Sequence, residues 1–349
     1  MRPETMRAMV LTGFGGYDTL HDRPDVPVPK PADDEVLVEV AACGVNNTDI
    51  WTREGAYGTD ENSGWRGGAF EFPRIQGADI VGRIVDVGGN VPRERLGARV
   101  MVNPTLYAGA GDGMFEAAFI GSERDGGFAE FACVPDANAH AIDSPLSYPE
   151  LATFMTAYLT AEHMLNRAEV ATGETVLITG ASGGVGSALV QLARLRGARV
   201  IAVIGRGKEG HLEGLGVHGI VFRDTTNYPE AIQRELPSGT VDVVADVVGG
   251  NRVPHLLELL RTGGRYVTAG AIAGPMVTID WRKLYLKHLT VLGSTMGTQQ
   301  ESKQIVAYVA SGRLKPLLAG SYPLGQLVQA QKDFKKKTHF GKLVVVPKK

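Results

Sequence analysis

The sequence predicts an α/β protein with two domains, one a barrel-like β domain and the other a doubly wound parallel sheet. Residues 1–150 contain short apolar runs separated by glycine turns, which is typical of a barrel-like β fold. Residues 151–295 instead alternate strand patterns with helical patterns, as a doubly wound sheet requires. Residues 296–349 end in one more strand, and we expect this tail to return and complete the first domain.

The composition is that of an ordinary soluble globular protein. Among 349 residues, 44% are hydrophobic and 21% are charged, and the formal net charge of −2 indicates neither a nucleic-acid partner nor a membrane partner. The sequence contains two cysteines, Cys43 and Cys133, which are too few for a disulfide framework. No apolar run approaches the roughly 18 residues of a membrane span, and the N-terminus has no signal-peptide core. We therefore expect a cytoplasmic protein.

The first domain is predicted from its apolar runs. Glu35–Ala42 reads EVLVEVAA, which is the alternation of a half-buried strand. The other runs predict strands at Ala8–Thr12, Ala78–Val87, Ala98–Val102, Gly127–Val134 and Lys342–Val346. Two Gly-rich stretches, Gly58–Phe72 and Pro104–Asp125, interrupt this pattern, and we expect them to be inserted loops.

A helix predicted at Pro149–Asn166 bridges from the first domain into the second. A buried strand at Thr175–Thr179 then runs directly into GASGGVG, followed by a helix over Ser187–Arg196 and a strand over Arg199–Ile204. This order predicts the first unit of a dinucleotide-binding sheet, because glycines let a pyrophosphate approach the free N–H groups of a helix start. The predicted contacts are Gly180, Ala181, Ser182, Gly183, Gly184, Val185 and Gly186. The alternative is a tight turn that binds no ligand.

The same alternation continues to residue 294. Further strands are predicted at Ile220–Phe222, Val241–Val248, Arg265–Ala269 and Leu289–Ser294, with helices near Pro229–Leu236 and Val253–Arg261. Together with the first two strands they would form one doubly wound sheet.

The end of the second strand selects the cofactor. A sheet that prefers NAD places Asp or Glu about 20 residues beyond the glycines, on the ribose 2′-hydroxyl. Here Gly205 takes that position and Arg206, Gly207 and Lys208 follow, so no acid repels a 2′-phosphate. We therefore predict NADPH, bound through Arg206 and Lys208, with Arg223 at the next strand end as a further contact. The alternative is that Arg206 and Lys208 are solvated loop charges.

Several motifs occur in a fixed order along almost the whole chain. They are GVNNTD (Gly44–Asp49), GADIVGRIVDVG (Gly77–Gly88), GGFAEF (Gly126–Phe131), MTAYLTA (Met155–Ala161), GASGGVGSA, VDVVADVVGG (Val241–Gly250), LRTGGRYVTAG (Leu260–Gly270) and FGKLVV (Phe340–Val345). In these motifs the chain resembles the medium-chain dehydrogenase/reductase superfamily, especially its zinc-free quinone oxidoreductase-like branch. The resemblance implies a GroES-like β-barrel catalytic domain (1–150 and 296–349) and a Rossmann domain (151–295) that binds NADPH.

The resemblance also implies which other residues hold the cofactor. They are Thr156, Asp246, Val248, Gly249, Gly270, Ala271, Ile272 and Lys342. In relatives the strand that aligns with Leu289–Ser294 often pairs edge to edge between subunits, so a homodimer is expected.

The chain departs from the zinc-dependent members of the superfamily that it resembles. The cysteine and the histidine that bind catalytic zinc in those relatives fall on Asn46 and Ala78, of which Ala78 has no donor atom. The first-motif histidine falls on Asn47 and the second-motif glutamate on Asp79. No cysteine lies between 90 and 125, where the relatives hold a structural zinc ion. We therefore predict no metal at either place.

Without a metal ion, the expected chemistry is reduction of an acceptor that is already polarised. The resemblance implies hydride transfer from NADPH to a quinone or an α,β-unsaturated carbonyl compound, whose developing oxyanion needs hydrogen-bond donors. The catalytic candidates are Asn46, Thr48 and Tyr57. The alternative for Asn46 is an amide that caps its own turn, and the alternative for Thr48 is a helix N-cap. The alternative for Tyr57 is an aromatic lid over a loop. Asp79 either orients these groups or stabilises a turn, and we expect the turn.

Other functions stay open. An enoyl-thioester reductase, similar to the reductase part of crotonyl-CoA enzymes, would need a basic groove for CoA phosphates, and Arg53, Arg66 and Arg74 are its candidates. A zinc-free alcohol dehydrogenase would use Thr48 as a proton relay. A non-catalytic NADPH-binding protein would keep the cofactor motif and reduce no acceptor.

Overall fold

The computed structural model of the chain describes residues 3–57, 70–107, 117–225, 227–236 and 238–347. The chain divides into two compact units, the first formed by Met1–Thr156 with Thr298–Lys349 and the second by Ala157–Gly297. The boundaries predicted from the sequence lie at 150/151 and 295/296. Parts of both expected insertions, residues 58–69 and 108–116, lie outside the described residues.

The strands and helices follow each other in a mixed order. The strands are β1 (Thr5–Leu11), β2 (Leu20–Pro27), β3 (Glu35–Gly44), β4 (Arg74–Ile75), β5 (Asp79–Val87), β6 (Arg99–Val102), β7 (Thr105–Leu106), β8 (Ala118–Phe119), β9 (Phe131–Pro135), β10 (Ala139–Ala141), β11 (Thr175–Ile178), β12 (Arg199–Ile204), β13 (Gly219–Phe222), β14 (Val241–Asp246), β15 (Leu260–Thr268), β16 (Thr290–Gly293), β17 (Leu318–Pro323) and β18 (Lys342–Val346). The helices are α1 (Asn47–Arg53), α2 (Tyr148–Leu151), α3 (Met155–Arg167), α4 (Gly184–Leu195), α5 (Glu209–Glu213), α6 (Tyr228–Glu235), α7 (Val253–Leu259), α8 (Trp281–Leu286), α9 (Gln299–Ala310) and α10 (Leu327–Lys336).

The first unit consists mainly of antiparallel strands around one hydrophobic core. Its largest sheet has the order β10-β6-β5-β3-β18-β17, with β9 also paired to β3, and a three-stranded sheet, β2-β1-β4, contributes to the same core. Val36, Leu37 and Val38 of β3 are all fully buried. Consecutive residues point to opposite faces, so both faces of β3 are covered, and the expectation of a half-buried strand is wrong.

The end of the chain returns to this sheet, as the sequence predicted. In β18, Val344 lies opposite Gly44 and Val345 lies opposite Cys43 of β3, in antiparallel register. The return places the side chain of Lys342, the first residue of β18, in the same unit as the motif that follows β3.

The second unit is a six-stranded parallel sheet in the order β13-β12-β11-β14-β15-β16. The strand order reverses between β11 and β14, which is where sheets of this kind bind ligands, beyond the carboxyl ends of the strands. Its core includes Leu177, Ile201 and Val244, each fully buried on the central strands. This sheet and the GroES-like unit confirm the predicted fold class.

The single helix expected at Pro149–Asn166 is instead two helices, α2 and α3. Between them the Thr153 hydroxyl donates to the Glu150 carbonyl at 2.7 Å. A hydroxyl that bonds a nearby carbonyl competes with the helical ladder. The Asp79 carboxylate then accepts the Thr156 N–H at 2.6 Å, which satisfies a free donor in the first turn of α3.

Other boundaries differ in smaller ways. Helix α4 begins at Gly184, ahead of the expected start at Ser187, because the last glycines of the motif already adopt helical geometry. Strand β16 is shorter than the expected Leu289–Ser294. Strand β2 was not predicted, because its sequence LHDRPDVP is mostly exposed and shows no apolar alternation.

Among the described residues, no helix combines the length and the apolar character needed to cross a membrane.

Candidate functional site

The glycine turn after β11 has the geometry of a phosphate cradle. Gly180 has a φ of +57°, which glycine adopts without strain. A Cβ atom on Gly186 would lie 2.1 Å from the Gly180 carbonyl oxygen, so only glycine lets α4 begin this close to β11. Gly183 precedes α4, and no side chain caps the helix there. The N–H groups of the first turn are therefore available to an anion.

Two cations lie near the end of β12, where the sequence predicts the 2′-phosphate. A Cβ atom on Gly205 would meet the Arg223 guanidinium at 3.3 to 3.4 Å. The Lys208 Nζ lies 3.4 Å from the Ser182 Oγ, on the glycine turn. Burial lowers the pKa of Lys208, and the charge of Arg223 lowers it further, because two cations disfavour each other's charged forms.

Arg206, the third predicted contact, already has partners in the protein. Its Nε donates to the Asp224 Oδ2 at 2.9 Å, and its guanidinium lies 4.3 Å from the centroid of the Phe222 ring. The structure therefore places Arg223 beside Gly205, whereas Arg206 is paired with Asp224.

Asp246, at the end of β14, is fully buried. Its carboxylate accepts hydrogen bonds from the hydroxyls of Tyr266 and Thr179. It also accepts the N–H groups of Val248 and Gly249, at 2.8 and 3.0 Å. Burial and the Asp246 charge raise the pKa of Tyr266, which keeps that hydroxyl a neutral donor. Asp246 therefore fixes the loop after β14 through protein groups.

The loops after β14 and β15 meet beyond the ends of these strands. Gly249 has a φ of +64°, and a Cβ atom there would lie 3.2 Å from the Ala271 Cα. The Ala273 N–H donates to the Val248 carbonyl at 2.8 Å. The Ile272 side chain is 50% exposed. The predicted residues on these two loops are Val248, Gly249, Gly270, Ala271 and Ile272.

A buried ion pair lies in the first unit, between β5 and β18. The Lys342 ammonium donates to the Asp79 Oδ2 at 2.7 Å and to the Asn46 Oδ1 at 2.5 Å. The Asn46 Nδ2 donates to the same Asp79 oxygen at 2.9 Å and to the Gly44 carbonyl at 3.4 Å. The other Asp79 oxygen accepts the Thr156 N–H. Asp79 thus joins three predicted site residues that are far apart in the sequence.

The structure corrects the expectation that Asp79 only stabilises a turn. Its two oxygens bind a side-chain amide, an ammonium group and a backbone N–H. The available signal was the alignment of Asp79 with the second-motif glutamate of the zinc enzymes. The pattern of the sequence alone could not show that Lys342, in a strand 263 residues later, would supply the positive charge.

Helix α1 presents the first motif. Asn46 precedes the helix, and its backbone N–H donates to the Asp49 Oδ2 at 2.7 Å. Asn46 is therefore the N-cap, and the alternative that Thr48 caps the helix is wrong, because Thr48 is the second residue of α1. Asp49 is 4% exposed, and burial raises its pKa to about 7 although the Lys342 charge opposes this shift.

Tyr57 follows α1 and lies beside Trp51. Their ring centroids are 5.9 Å apart, with planes tilted by 56°. Tyr57 is half-buried, and burial raises its pKa, so its hydroxyl is a neutral donor at neutral pH. This geometry suits both a donor and an aromatic lid.

Two family models and a known quinone oxidoreductase match this chain. The family model of the alcohol dehydrogenase GroES-like domain matches residues 32–144, and the model of zinc-binding dehydrogenases matches residues 184–311. Quinone oxidoreductase from Mus musculus is 31% identical to this chain, over 94% of the chain and 93% of the relative.

Solved structures match the chain over nearly its full length. A protein of Sinorhizobium meliloti 1021, provisionally described as an alcohol dehydrogenase, is 50% identical, with a TM-score of 0.96 over 99% of this chain and 98% of that one. An NAD-dependent alcohol dehydrogenase is 29% identical, with a TM-score of 0.90 over 98% and 100%. A 2-octenoyl-CoA carboxylase reductase in complex with NADP and 2-octenoyl-CoA is 27% identical, with a TM-score of 0.87 over 100% and 90%.

The two family models match both units of this chain, and the structural similarity extends along almost the entire chain. The relatives are oxidoreductases that act on small molecules. The chain therefore belongs to the medium-chain dehydrogenase/reductase superfamily, as an oxidoreductase of the kind that uses a nicotinamide cofactor.

Proposed function

We propose that the protein is a zinc-independent, NADPH-dependent reductase that transfers hydride to a quinone or to an α,β-unsaturated carbonyl compound. One observation carries this proposal. The Lys342 ammonium binds Asn46 and Asp79, which lie in the two motifs that supply zinc ligands in the metal-dependent relatives. A site with its own cation favours acceptors that need no Lewis acid.

The residues at this place do not fit a zinc ion, although one matched family is described as zinc-binding. Ala78 has no donor atom, and the neutral Asn46 oxygen already accepts from Lys342. The Lys342 ammonium lies 2.7 Å from Asp79 Oδ2, so it would repel a divalent cation bound to that oxygen. In the parts of the chain that the structure describes, no group of three or more His, Cys, Asp and Glu residues could hold a metal ion.

The second unit suits a nicotinamide dinucleotide, because Gly186 lets α4 begin close to β11 and no side chain caps the first turn of α4 at Gly183. The first turn of α4 would bind the pyrophosphate, and the loops after β14 and β15 would hold the nicotinamide end. Lys208 and Arg223 would bind the 2′-phosphate beside Gly205, which supports NADPH. Once bound, the cofactor supplies the hydride. NADH is the alternative, since one similar structure is an NAD-dependent enzyme.

The acceptor oxygen gains negative charge as hydride adds, so the site needs hydrogen-bond donors. We propose the hydroxyls of Thr48 and Tyr57 for this role. Asn46 is less suited, because its amide group already donates to Asp79 and to Gly44. We therefore assign Asn46 to positioning of the buried ion pair.

An enoyl-thioester reductase is the second candidate, because one similar structure contains 2-octenoyl-CoA. The basic groove that CoA phosphates would need is not supported by the described arginines. Arg53 is 1% exposed and donates to Gln331 and Gly15, while Arg74 pairs with Asp125 at 3.1 Å. Arg66 lies outside the described residues. These contacts favour acceptors without CoA.

The test measures oxidation of NADPH and of NADH by the metal-stripped protein, with 1,4-benzoquinone, a 2-alkenal and crotonyl-CoA as parallel acceptors. We expect turnover that survives chelation, with NADPH as the better donor and one of the first two acceptors preferred. Activity that is lost on chelation and restored by zinc would favour an alcohol dehydrogenase. Cofactor binding without turnover on any acceptor would favour a non-catalytic protein.

We also propose that the protein is a cytoplasmic homodimer joined along β16. This strand ends the six-stranded sheet, and its Val291 is 51% exposed. The preceding helix α8 adds Trp281, Tyr285 and Leu286, which are 70%, 61% and 69% exposed. Exposed apolar side chains next to a sheet edge are typical of a surface that a second copy covers.

A further inference from the structure

Lys342 has more hydrogen-bonding capacity than its protein contacts use. An ammonium group carries three N–H donors and no acceptor. Two of these donors bind Asn46 Oδ1 and Asp79 Oδ2, and no described residue accepts the third. The residue is only 3% exposed. A buried donor without an acceptor calls for a water molecule or a ligand.

Building on the proposed function, we propose that Lys342 is a catalytic residue whose third N–H donates to the acceptor oxygen that becomes negatively charged. Its two other contacts, to Asn46 and Asp79, fix the ammonium in place before reaction. Asp79 is fixed in turn, because its second oxygen accepts the Thr156 N–H at 2.6 Å. Such preorganised donors stabilise a developing charge without reorganising during the reaction.

The other members of this cluster are less suited to the role. Asp79 accepts hydrogen bonds at both oxygens, and the Asn46 amide donates to Asp79 and Gly44. Asp49 Oδ2 accepts the Asn46 N–H, which directs that carboxyl group toward the backbone. Lys342 also carries a charge, and a charged donor forms hydrogen bonds roughly twice as strong as a neutral one.

The reaction balances with a reduced nicotinamide as the hydride source. The β-carbon of an enone gains the hydride and its electron pair, the C=C π electrons shift, and the carbonyl π electrons move to oxygen. The enolate oxygen accepts a hydrogen bond from Lys342, which keeps its proton. Water then protonates the α-carbon, and the nicotinamide leaves in its oxidised form. In a quinone, hydride addition at a ring carbon gives the same kind of enolate, and water protonates its oxygen. The ring carbon then loses one proton to water while the second carbonyl oxygen gains one, which yields the hydroquinone.

Three variants separate this role from charge compensation. Lys342→Met removes the donor and leaves the Asp79 carboxylate buried without its cation, which alone reduces stability. Asp79→Asn combined with Lys342→Met removes both charges and leaves a neutral cluster. Lys30→Met makes the same chemical change on an exposed lysine and serves as the matched control. The unfolding temperature and the Kd for NADPH establish that each variant is folded.

We expect kcat to fall by about 10²- to 10³-fold in both variants that lack Lys342, as when one oxyanion donor is lost. Each kcat is measured at saturating NADPH, because the resemblance also assigns Lys342 to the cofactor and a weaker Kd must not be mistaken for a slower reaction. Lys30→Met should match the wild type. If the double variant regains full kcat together with its stability, Lys342 only compensates charge and the inference is overturned.

A second measurement needs no turnover. With oxidised cofactor present, p-nitrophenol should bind the wild type as its phenolate, with an apparent pKa lowered by the Lys342 donor, and its absorbance reports this. Both Lys342 variants should lose the shift. If the wild type reduces no acceptor and yet shifts the probe, the reductase function fails, while the assignment of the third Lys342 N–H as a donor to a bound oxyanion stands. An equal shift in the double variant would overturn the inference.

Discussion

In the proposed function, the residue that follows β12 sets the electrostatic environment of the cofactor ribose. Gly205 occupies the place where a sheet that binds NAD carries an acid, and Arg223 lies against it. Lys208, near the glycine turn, adds a second positive charge. The proposed preference for NADPH should therefore depend on the absence of a side chain at Gly205 as much as on the positive charges of Arg223 and Lys208.

Gly205→Asp should reverse the cofactor preference. The new carboxylate would lie against the Arg223 guanidinium, neutralise it and repel a 2′-phosphate. We expect the Kd for NADPH to rise by at least about 10-fold, which corresponds to roughly 1.4 kcal/mol, and the Kd for NADH to fall. Fluorescence titration measures both values. Gly205→Asn is the matched control, because it adds similar volume without charge; the same reversal in this control would mean that size, not charge, is responsible.

Two titratable residues of the first unit, the buried Asp49 and the half-buried His140, should have opposite effects on the dependence of stability on pH. The pKa of Asp49 is raised from its ordinary 3.8 to about 7, mainly by burial. Its contribution to stability is present below pH 3.8 and is lost as pH rises through about 7. Burial lowers the pKa of His140 from 6.5 to about 4. The His140 contribution is present above pH 6.5 and is lost as pH falls through about 4.

Asp49→Asn should unmask the His140 effect. The asparagine oxygen can still accept the Asn46 N–H, but it does not titrate. The free energy of unfolding of the variant minus that of the wild type should increase by about 2 kcal/mol between pH 5 and pH 7, because only the wild type loses the Asp49 contribution. Urea unfolding across this range measures the difference. Asp33→Asn, on the exposed surface, is the control, and an unchanged pH profile in Asp49→Asn would show that Asp49 is already ionised at pH 5.

The glycine turn between β11 and α4 was predictable from the sequence, because strand, glycines and helix are adjacent in the chain. The Lys342–Asp79 pair was not, because its members meet only after β18 returns to the sheet that holds β5. The choice between Arg206 and Arg223 also depends on tertiary structure. Asp224 engages Arg206, and nothing in the local sequence indicates which arginine turns toward Gly205.

At the scale of elements, long apolar strands were predicted well and short or polar ones were missed. β11, β12 and β14 are continuous buried runs, so their sequences alone identify them. β2 and β17 are largely exposed and held by pairing with β1 and β18, which no local pattern shows. The first turn of α3 likewise has a donor that is satisfied by Asp79, which is distant in the sequence.

Strand β16 should hold two copies of the chain together, and Val291→Lys tests this. A lysine at this 51% exposed position would put a charge at the centre of the sheet edge, which disfavours edge-to-edge pairing. We expect the dimer dissociation constant to rise by at least about 10-fold, which corresponds to roughly 1.4 kcal/mol. Sedimentation equilibrium measures it. Leu96→Lys, at a 45% exposed position of the first unit, should leave association unchanged; a monomeric wild type would refute the proposed dimer.

At the scale of the whole molecule, two units with separate cores should owe their stability to packing and to cofactor, with no contribution from metal. Residues 90–125 contain no cysteine that could anchor a structural zinc ion, and the Asn46–Asp79 site holds a lysine ammonium. A chelator should therefore leave the unfolding temperature unchanged. A ligand that binds only the native state adds about 2.7 kcal/mol at 100 times its Kd, so NADPH should raise that temperature.

Scanning calorimetry with a chelator, with NADPH and with NADH at equal concentrations separates these contributions. NADPH should give the larger upward shift, because the free energy added at a fixed concentration grows as Kd falls. Gly205→Asp should invert the order of the two cofactors while the melt without cofactor stays close to the wild type. A transition that moves down on chelation, and is restored by zinc, would contradict the zinc-independent proposal. A larger shift with NADH in the wild type would instead contradict only the choice of cofactor.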